Sequence, residues 1–231
     1  MSIPQDGQIV MVLLVSRYRK SMNISVRRPA QAHRQEEERS MRILMLGNSF
    51  TFFNDMPEMV REITGAQVVS HTRGGAWLSE QLNADTEMGA ATLKALEEHW
   101  DYVVLQEYSN GPVKNREAFM RSAAELCAKI RACGGTPVLY ATWAYEKNGP
   151  KMAGMDCSYE EMAQGLKEAY HAAAEENGAL VADVGQRFFE QAEEKCLYNR
   201  DSYHPSEEGS RLAARTLSEV ILADLAKRTQ A

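Results

Sequence analysis

From residue 41 onward, short runs rich in Val, Ile and Leu alternate with longer amphipathic stretches, and this alternation restricts the chain more than any other feature. The apolar runs are "RILMLG" (42–47), "AQVVSHT" (66–72), "DYVVLQ" (101–106), "TPVLYATW" (136–143) and "ALVADV" (179–184). They are short and bounded by turn residues, as buried strands are. Between them lie stretches with helical spacing. "MPEMVREIT" (56–64) has Asn54 or Asp55 as a cap and Pro57 in its first turn. A second helical region closes with "TLKALEEH" (92–99). A long helix is expected over 116–135, ending in a Gly pair. Another over 158–178 opens with Ser158 and Glu161, a capping box. The last is expected over 206–228. Strands that are each followed by a helix pair in parallel and need cover on both faces, which predicts an α/β fold. No repeat and no Pro/Gly linker divides residues 41–231, so one domain is expected there.

The totals fit that reading and remove several functions. The chain has 231 residues, 44% of them hydrophobic, which is enough to bury a core. Its formal net charge is −6 with no Lys/Arg block in its body, a poor match to a nucleic-acid backbone. No apolar stretch reaches the roughly 20 residues that span a bilayer. Near the N-terminus, "QIVMVLLV" (8–15) is followed, not preceded, by the basic "RYRK". A secretory signal has the opposite polarity, so a cytoplasmic location is expected. "SVRRPAQAHRQEEERS" (25–40) is charged and aperiodic, and Met41 stands directly before the first strand. Residues 1–40 are therefore expected to be a disordered or spurious extension. Cys127, Cys133, Cys157 and Cys196 form neither a CxxC nor a zinc-finger spacing and are expected to be free thiols.

In open parallel sheets ligands bind outside the carboxyl ends of the strands. The residues after each run therefore form one candidate site. They are Gly47-Asn48-Ser49-Phe50-Thr51, then "TRGGAWL" (72–78), "QEYSNGP" (106–112), "TWAYE" (142–146) and, past a short helix, "NRDSYHPSEEG" (199–209). Taken alone each is an ordinary turn or cap: Ser49 caps a helix, and Pro205-Ser206 start one. Together they hold the parts of nucleophilic catalysis. A serine hydroxyl needs a base, and a histidine oriented by a carboxylate is that base. Asp201 and His204 are spaced to pair across one loop. Donors for an oxyanion are available from the N–H groups of Ser49 and Gly75 and from a side-chain amide, Gln106 or Asn110. Gln106 is preferred because it stands directly at the strand end.

These blocks resemble the SGNH/GDSL hydrolase superfamily. There the nucleophilic serine follows the first strand in a Gly-Asp-Ser-like block, a glycine follows the second, Gly-x-Asn-Asp follows the third, and Asp-x-x-His precedes the last helix. Here the first block reads Gly47-Asn48-Ser49-Phe50-Thr51, with Asn where Asp is usual. Gly75 matches the second, and Asp201-Ser202-Tyr203-His204-Pro205 matches the last. The third block departs from the pattern and reads Gln106-Glu107-Tyr108-Ser109-Asn110, as in a bacterial branch carrying Gly-Asn-Ser-Phe. The likeness covers residues 42–217. It implies a flavodoxin-like three-layer α/β/α sandwich with a five-stranded parallel sheet. It also implies a serine esterase without metal or cofactor, with Ser49, His204 and Asp201 as its triad, cleaving a small-molecule or carbohydrate O-acyl ester.

Trp77, Tyr108, Trp143, Tyr145 and Tyr203 are expected at the rim, where rings stack on a sugar or an acyl chain. The Gly-rich "YEKNGPKMAGMDC" (145–157) is long for a loop here and is a candidate for selecting substrate. Two rival readings use the same fold. One is a catalytically silent carbohydrate-binding relative. The other is a phosphate- or nucleotide-binding protein that holds its ligand at the helix after Ser49; it leaves the Asp201/His204 spacing unused.

Overall fold

The computed structural model describes residues 40–230. Except for Ser40, the expected N-terminal extension lies outside the described residues. The elements run β1 (Arg42–Gly47), α1 (Ser49–Phe52), a 3-10 turn (Phe53–Asp55), α2 (Met56–Thr64), β2 (Gln67–Thr72), α3 (Leu78–Gln81) and α4 (Glu87–Ala95). Then come β3 (Tyr102–Leu105), α5 (Gly111–Lys114), α6 (Arg116–Ala132), β4 (Thr136–Tyr140), α7 (Pro150–Ala153) and α8 (Tyr159–Asn177). β5 (Leu180–Ala182), α9 (Val184–Gln191) and α10 (Glu207–Thr229) complete the chain. The five strands form one parallel sheet in the order β2-β1-β3-β4-β5, the flavodoxin-like order.

Side chains alternate across a strand, and the core divides accordingly. Ile43, Met45, Val104, Val138 and Tyr140 face α2, α9 and α10, where Val60, Phe188, Leu212 and Leu217 fill the layer. Leu44, Leu46, Val103, Leu105 and Leu139 face α6 and α8, against Phe119, Leu126 and Tyr170. Both faces are covered, which is why the strands read as continuous apolar runs. The capping box at Ser158 forms as its sequence predicts, with Ser158 Oγ accepting from Glu161 N and Glu161 returning the bond. The four cysteines are unpaired. Among the described residues no helix is long and apolar enough to cross a membrane.

The fourth strand stops earlier than its apolar run. β4 ends at Tyr140, and Gly185 N donates to Ala141 O, bending the segment inward. Trp143 therefore sits in the core, 1% exposed and stacked between Phe50 and Phe188 at centroid distances of 4.6 and 4.1 Å. It does not stand at the rim. Strand order reverses between β1 and β3, so the loops after β1, β2 and β3 converge at one crevice above the sheet.

Candidate active site

Ser49 opens α1, one cap residue, Asn48, beyond the glycine that ends β1. Its Oγ lies 2.8 Å from His204 Nε2, although 155 residues separate them. His204 Nδ1 lies 2.7 Å from Asp201 Oδ2. The carboxylate holds the ring proton on Nδ1, so Nε2 is left to accept from the Ser49 hydroxyl. The other carboxylate oxygen accepts from the backbone N–H of Tyr203 at 3.2 Å and of His204 at 3.0 Å. Partial burial pushes the Asp201 carboxyl up. The hydrogen bonds from the His204 side chain, His204 N and Tyr203 N outweigh it and hold the group below its ordinary value.

The Asp201–His204 loop reaches Ser49 because of contacts that sequence patterning does not display. Ser202 takes a left-handed φ of 64°, and an isolated bridge joins Tyr198 to Pro205. Across the crevice, Asn54 and Asp55 are also left-handed, at φ 54° and 55°. That turn aims Phe53 back over the site, where its ring lies 4.2 Å from the His204 ring and nearly parallel to it. It also aims Asn54 at the start of α10. Asn54 Nδ2 donates to Pro205 O at 3.1 Å and to Ser210 Oγ at 2.8 Å. Asn54 thus ties the turn after the Ser49 helix to the segment that follows His204, while Asp55 occupies the cap position of α2 without a side-chain cap bond.

The opposite side of Ser49 is a buried polar network. Asn48 is 2% exposed, and its side chain bonds all three strand-end loops. Its Oδ1 accepts from Phe50 N at 3.1 Å, and its Nδ2 donates to Ala76 O at 2.9 Å and Glu107 O at 3.4 Å. This accounts for an amide where the superfamily usually has a carboxylate: an Asp could not donate those two bonds. Gln106 is fully buried beneath it. Its Oε1 accepts from Asn48 N and Thr51 Oγ1, each at 2.9 Å, and its Nε2 donates to Glu107 O. Gly47 makes room for this amide, since a Cβ there would come within 2.6 Å of Gln106 Oε1. Gln106 therefore faces inward and does not line the cavity, contrary to the oxyanion position expected for it. Asn110 does not line it either; its Nδ2 points to Met155 Sδ at 3.8 Å.

From the third strand end Tyr108 and Ser109 reach the cavity, and Ser109 Oγ lies 2.8 Å from Tyr145 Oη. The crevice has a volume of about 290 Å³ and is walled by Asn48, Ser49, Phe53, Gly74, Gly75, Tyr108, Ser109, Lys151, Tyr203 and His204, with Phe50 behind. Gly75 has φ 70°, a left-handed turn that suits glycine, and the Tyr108 ring packs beside it. Among the described residues the N–H groups of Ser49 and Gly75 donate to no protein acceptor. Of the expected rim aromatics, Tyr108 and Tyr203 line the crevice. Trp77 stacks behind Tyr108 at 4.6 Å, and Tyr145 is 3% exposed and supports Ser109. Among the described residues no group of His, Cys, Asp and Glu has the arrangement of a metal site.

No family model matches the chain, and no curated protein matches it. Solved structures do. A candidate SGNH hydrolase from Slackia heliotrinireducens is 46% identical, with a TM-score of 0.76, over 79% of this chain and all of that one. A DUF4886 family protein from Bacteroides uniformis is 22% identical, with a TM-score of 0.62, over 79% of this chain and 83% of its own. An acetylxylan esterase from Geobacillus stearothermophilus shares the fold at 16% identity and a TM-score of 0.59, over 78% of this chain and 94% of its own.

Proposed function

The chain belongs to the SGNH hydrolase superfamily, and from that membership we propose that it is a serine ester hydrolase working through an acyl-enzyme on Ser49. The observation that carries this is the unbroken path from Ser49 Oγ through the His204 ring to Asp201, with distances of 2.8 and 2.7 Å. His204 Nε2 takes the Ser49 proton as Oγ attacks the ester carbonyl. The negative charge that develops on the carbonyl oxygen is met by Ser49 N–H and Gly75 N–H. The third donor is the Ser109 hydroxyl, which can accept from Tyr145 and donate into the cavity. His204 then protonates the leaving alcohol. A water that gives its proton to the same nitrogen attacks the acyl-enzyme, and collapse of the second tetrahedral intermediate frees Ser49 and releases the acid.

A crevice of about 290 Å³ lies at the small end of ligand pockets, which favours a short acyl group over a long chain. The ring faces of Tyr108 and Tyr203 suit the flat, partly apolar face of a carbohydrate or an aryl alcohol. In this reading residues 41–231 are a single SGNH-hydrolase-like domain.

A fluorophosphonate probe and a panel of p-nitrophenyl esters of increasing chain length, with acetylated sugars beside them, test the proposal. Wild type is expected to label and to prefer the shortest acyl groups. Ser49→Ala is expected to lose labelling and at least about 10⁴-fold in kcat. Ester turnover by Ser49→Ala at the wild-type rate would sink the proposal. A wild type that neither labels nor turns over any ester would point to a silent binding relative.

A further inference from the structure

One lysine stands in the wall of the crevice, and nothing in the proposed reaction uses it: Lys151. We propose that Lys151 selects esters whose alcohol half carries an anion, a carboxylate or a phosphate; this rests on the ester-hydrolase reading above.

The loop between β4 and α8 holds Lys151 in place. Glu146 N donates to Ser202 O at 2.9 Å, inside the loop that carries the base. Gly149 closes a turn onto Glu146 O at 2.8 Å. It packs so tightly on Ser202 that a Cβ would come within 2.5 Å of Ser202 Cβ. Pro150 then opens α7, and Met152 is 5% exposed in a cluster with Tyr145, Tyr159 and Met162. Lys151 is fixed between that tight turn and that anchor. Its Nζ lies 3.6 Å from the centroid of the Tyr203 ring and 5.6 Å from that of Tyr145. A ring face orients an ammonium but leaves N–H donors for a further partner. Two nearby lysines are already paired, Lys147 with Glu160 and Lys114 with Asp156. Lys151 forms no ion pair among the described residues, and no carboxylate side chain lines the crevice.

The side of the crevice assigns the half of the ester. His204 must protonate the leaving alcohol, so the alcohol lies beside His204. Tyr203, which carries Lys151, is the ring next to it, at a centroid distance of 4.0 Å. Gly75 comes from the loop after β2, and Ser109 stands between it and the lysine, its Oγ 2.8 Å from the Tyr145 hydroxyl. An anion on the alcohol meets the ammonium; an anion at the far end of the acyl group does not.

The experiment compares para-acetoxybenzoate with para-acetoxybenzamide on wild type, Lys151→Met and Lys151→Glu at low ionic strength. The quantity read is the quotient of kcat/KM, anionic over neutral ester. It is expected to fall roughly fivefold in Lys151→Met and further in Lys151→Glu. In wild type it is expected to fall as NaCl is added. A quotient that stays the same in both variants overturns the proposal. So does a larger response from a hemisuccinate ester of para-hydroxybenzamide, whose anion sits on the acyl half. If wild type turns over none of these esters, the ester-hydrolase reading falls. Lys151 is then judged by calorimetric titration of Ser49→Ala protein with para-hydroxybenzoate and para-hydroxybenzamide. Preferential binding of the anion, lost with Lys151→Met, supports its role; equal binding, or none, overturns it.

Discussion

Glu107 and Asp201 lie on opposite sides of Ser49 and in opposite surroundings. Glu107 is 1% exposed and belongs to the polar network under the oxyanion donors. Burial drives its carboxyl up to about 7, against the pull of hydrogen bonds from Tyr108 N and Leu78 N at 2.6 and 3.2 Å; the Glu80 charge adds to the rise. Asp201 has a side chain that is 40% exposed, and its bonds from His204 and Tyr203 hold it low. Beneath the proposed oxyanion donors lies an interior in which Asn48, Gln106 and Glu107 are buried and tied to the strand ends. The base side is a surface assembly of stacked rings and one loop clamp. Oxyanion donors must not relax toward water when charge develops, so the groups that hold their loops are built inward. The base must exchange protons with substrate and water, so it is built outward.

The strongest way to break this contrast is to remove the charge from the interior. For a carboxyl raised by folding, stability is fully present below the ordinary Glu value of 4.5 and is lost as pH climbs to about 7. Glu107→Gln keeps the acceptor for Leu78 N and Tyr108 N and cannot ionise. Between pH 4.5 and 8, wild type is expected to lose about 3 kcal/mol more stability than the variant. Urea melts at several pH values measure this, and parallel curves would refute the desolvated character of Glu107. Asp201, held low, works with the opposite sign: its contribution is present at neutral pH and is lost only in acid, as pH falls through its depressed value.

Ser109→Ala sharpens the contrast within the oxyanion side. It is expected to lower kcat about 10- to 100-fold with KM nearly unchanged, a little below the cost of a full oxyanion donor. Gln106→Ala is expected instead to show first as lost stability, because it leaves Asn48 N and Thr51 Oγ1 without their acceptor in the core. Steady-state kinetics beside thermal melts separate the two. If Gln106→Ala hits kcat and spares the melt while Ser109→Ala does neither, the donor assignment is reversed.

The smallest effect is expected on the outer side. Asn54→Ala removes the two bonds to Pro205 and Ser210 and is expected to cost about 1 kcal/mol. It is also expected to slow fluorophosphonate labelling of Ser49 several-fold, since the base is then less firmly placed. Labelling at the wild-type rate would show that the Asn54 bonds take no part in positioning His204.

The strands were legible because each is covered on both faces and reads as an unbroken apolar run. That Ser49, Asp201 and His204 meet was legible because Asp-x-x-His before a helix and Gly-Asn-Ser after a strand place them at one sheet edge in short windows. Gln106 was misplaced because one residue of pleat separates an outward from an inward amide. A strand-end residue shows no periodicity from which to choose. Trp143 was misplaced because its strand ended early, a choice made by the Gly185 N to Ala141 O bond far away in sequence. Phe53 and Asn54 were missed as site residues because their placement depends on a left-handed pair. Asn-Asp after an aromatic pair only hints at that conformation. Lys151 was within a loop singled out for its length, but its direction depends on Gly149 packing against Ser202.

Trp143 has one more consequence. The chain has three tryptophans, Trp77, Trp100 and Trp143. The indole of Trp143 is stacked in the core on both faces, yet its N–H donates at 3.0 Å to the carbonyl of Tyr203, the residue before His204. Emission from this ring should therefore shift when the base-bearing loop lifts away from Ser49. With Trp77 and Trp100 replaced by Phe, the protein would carry its own optical gauge of whether its catalytic residues are assembled.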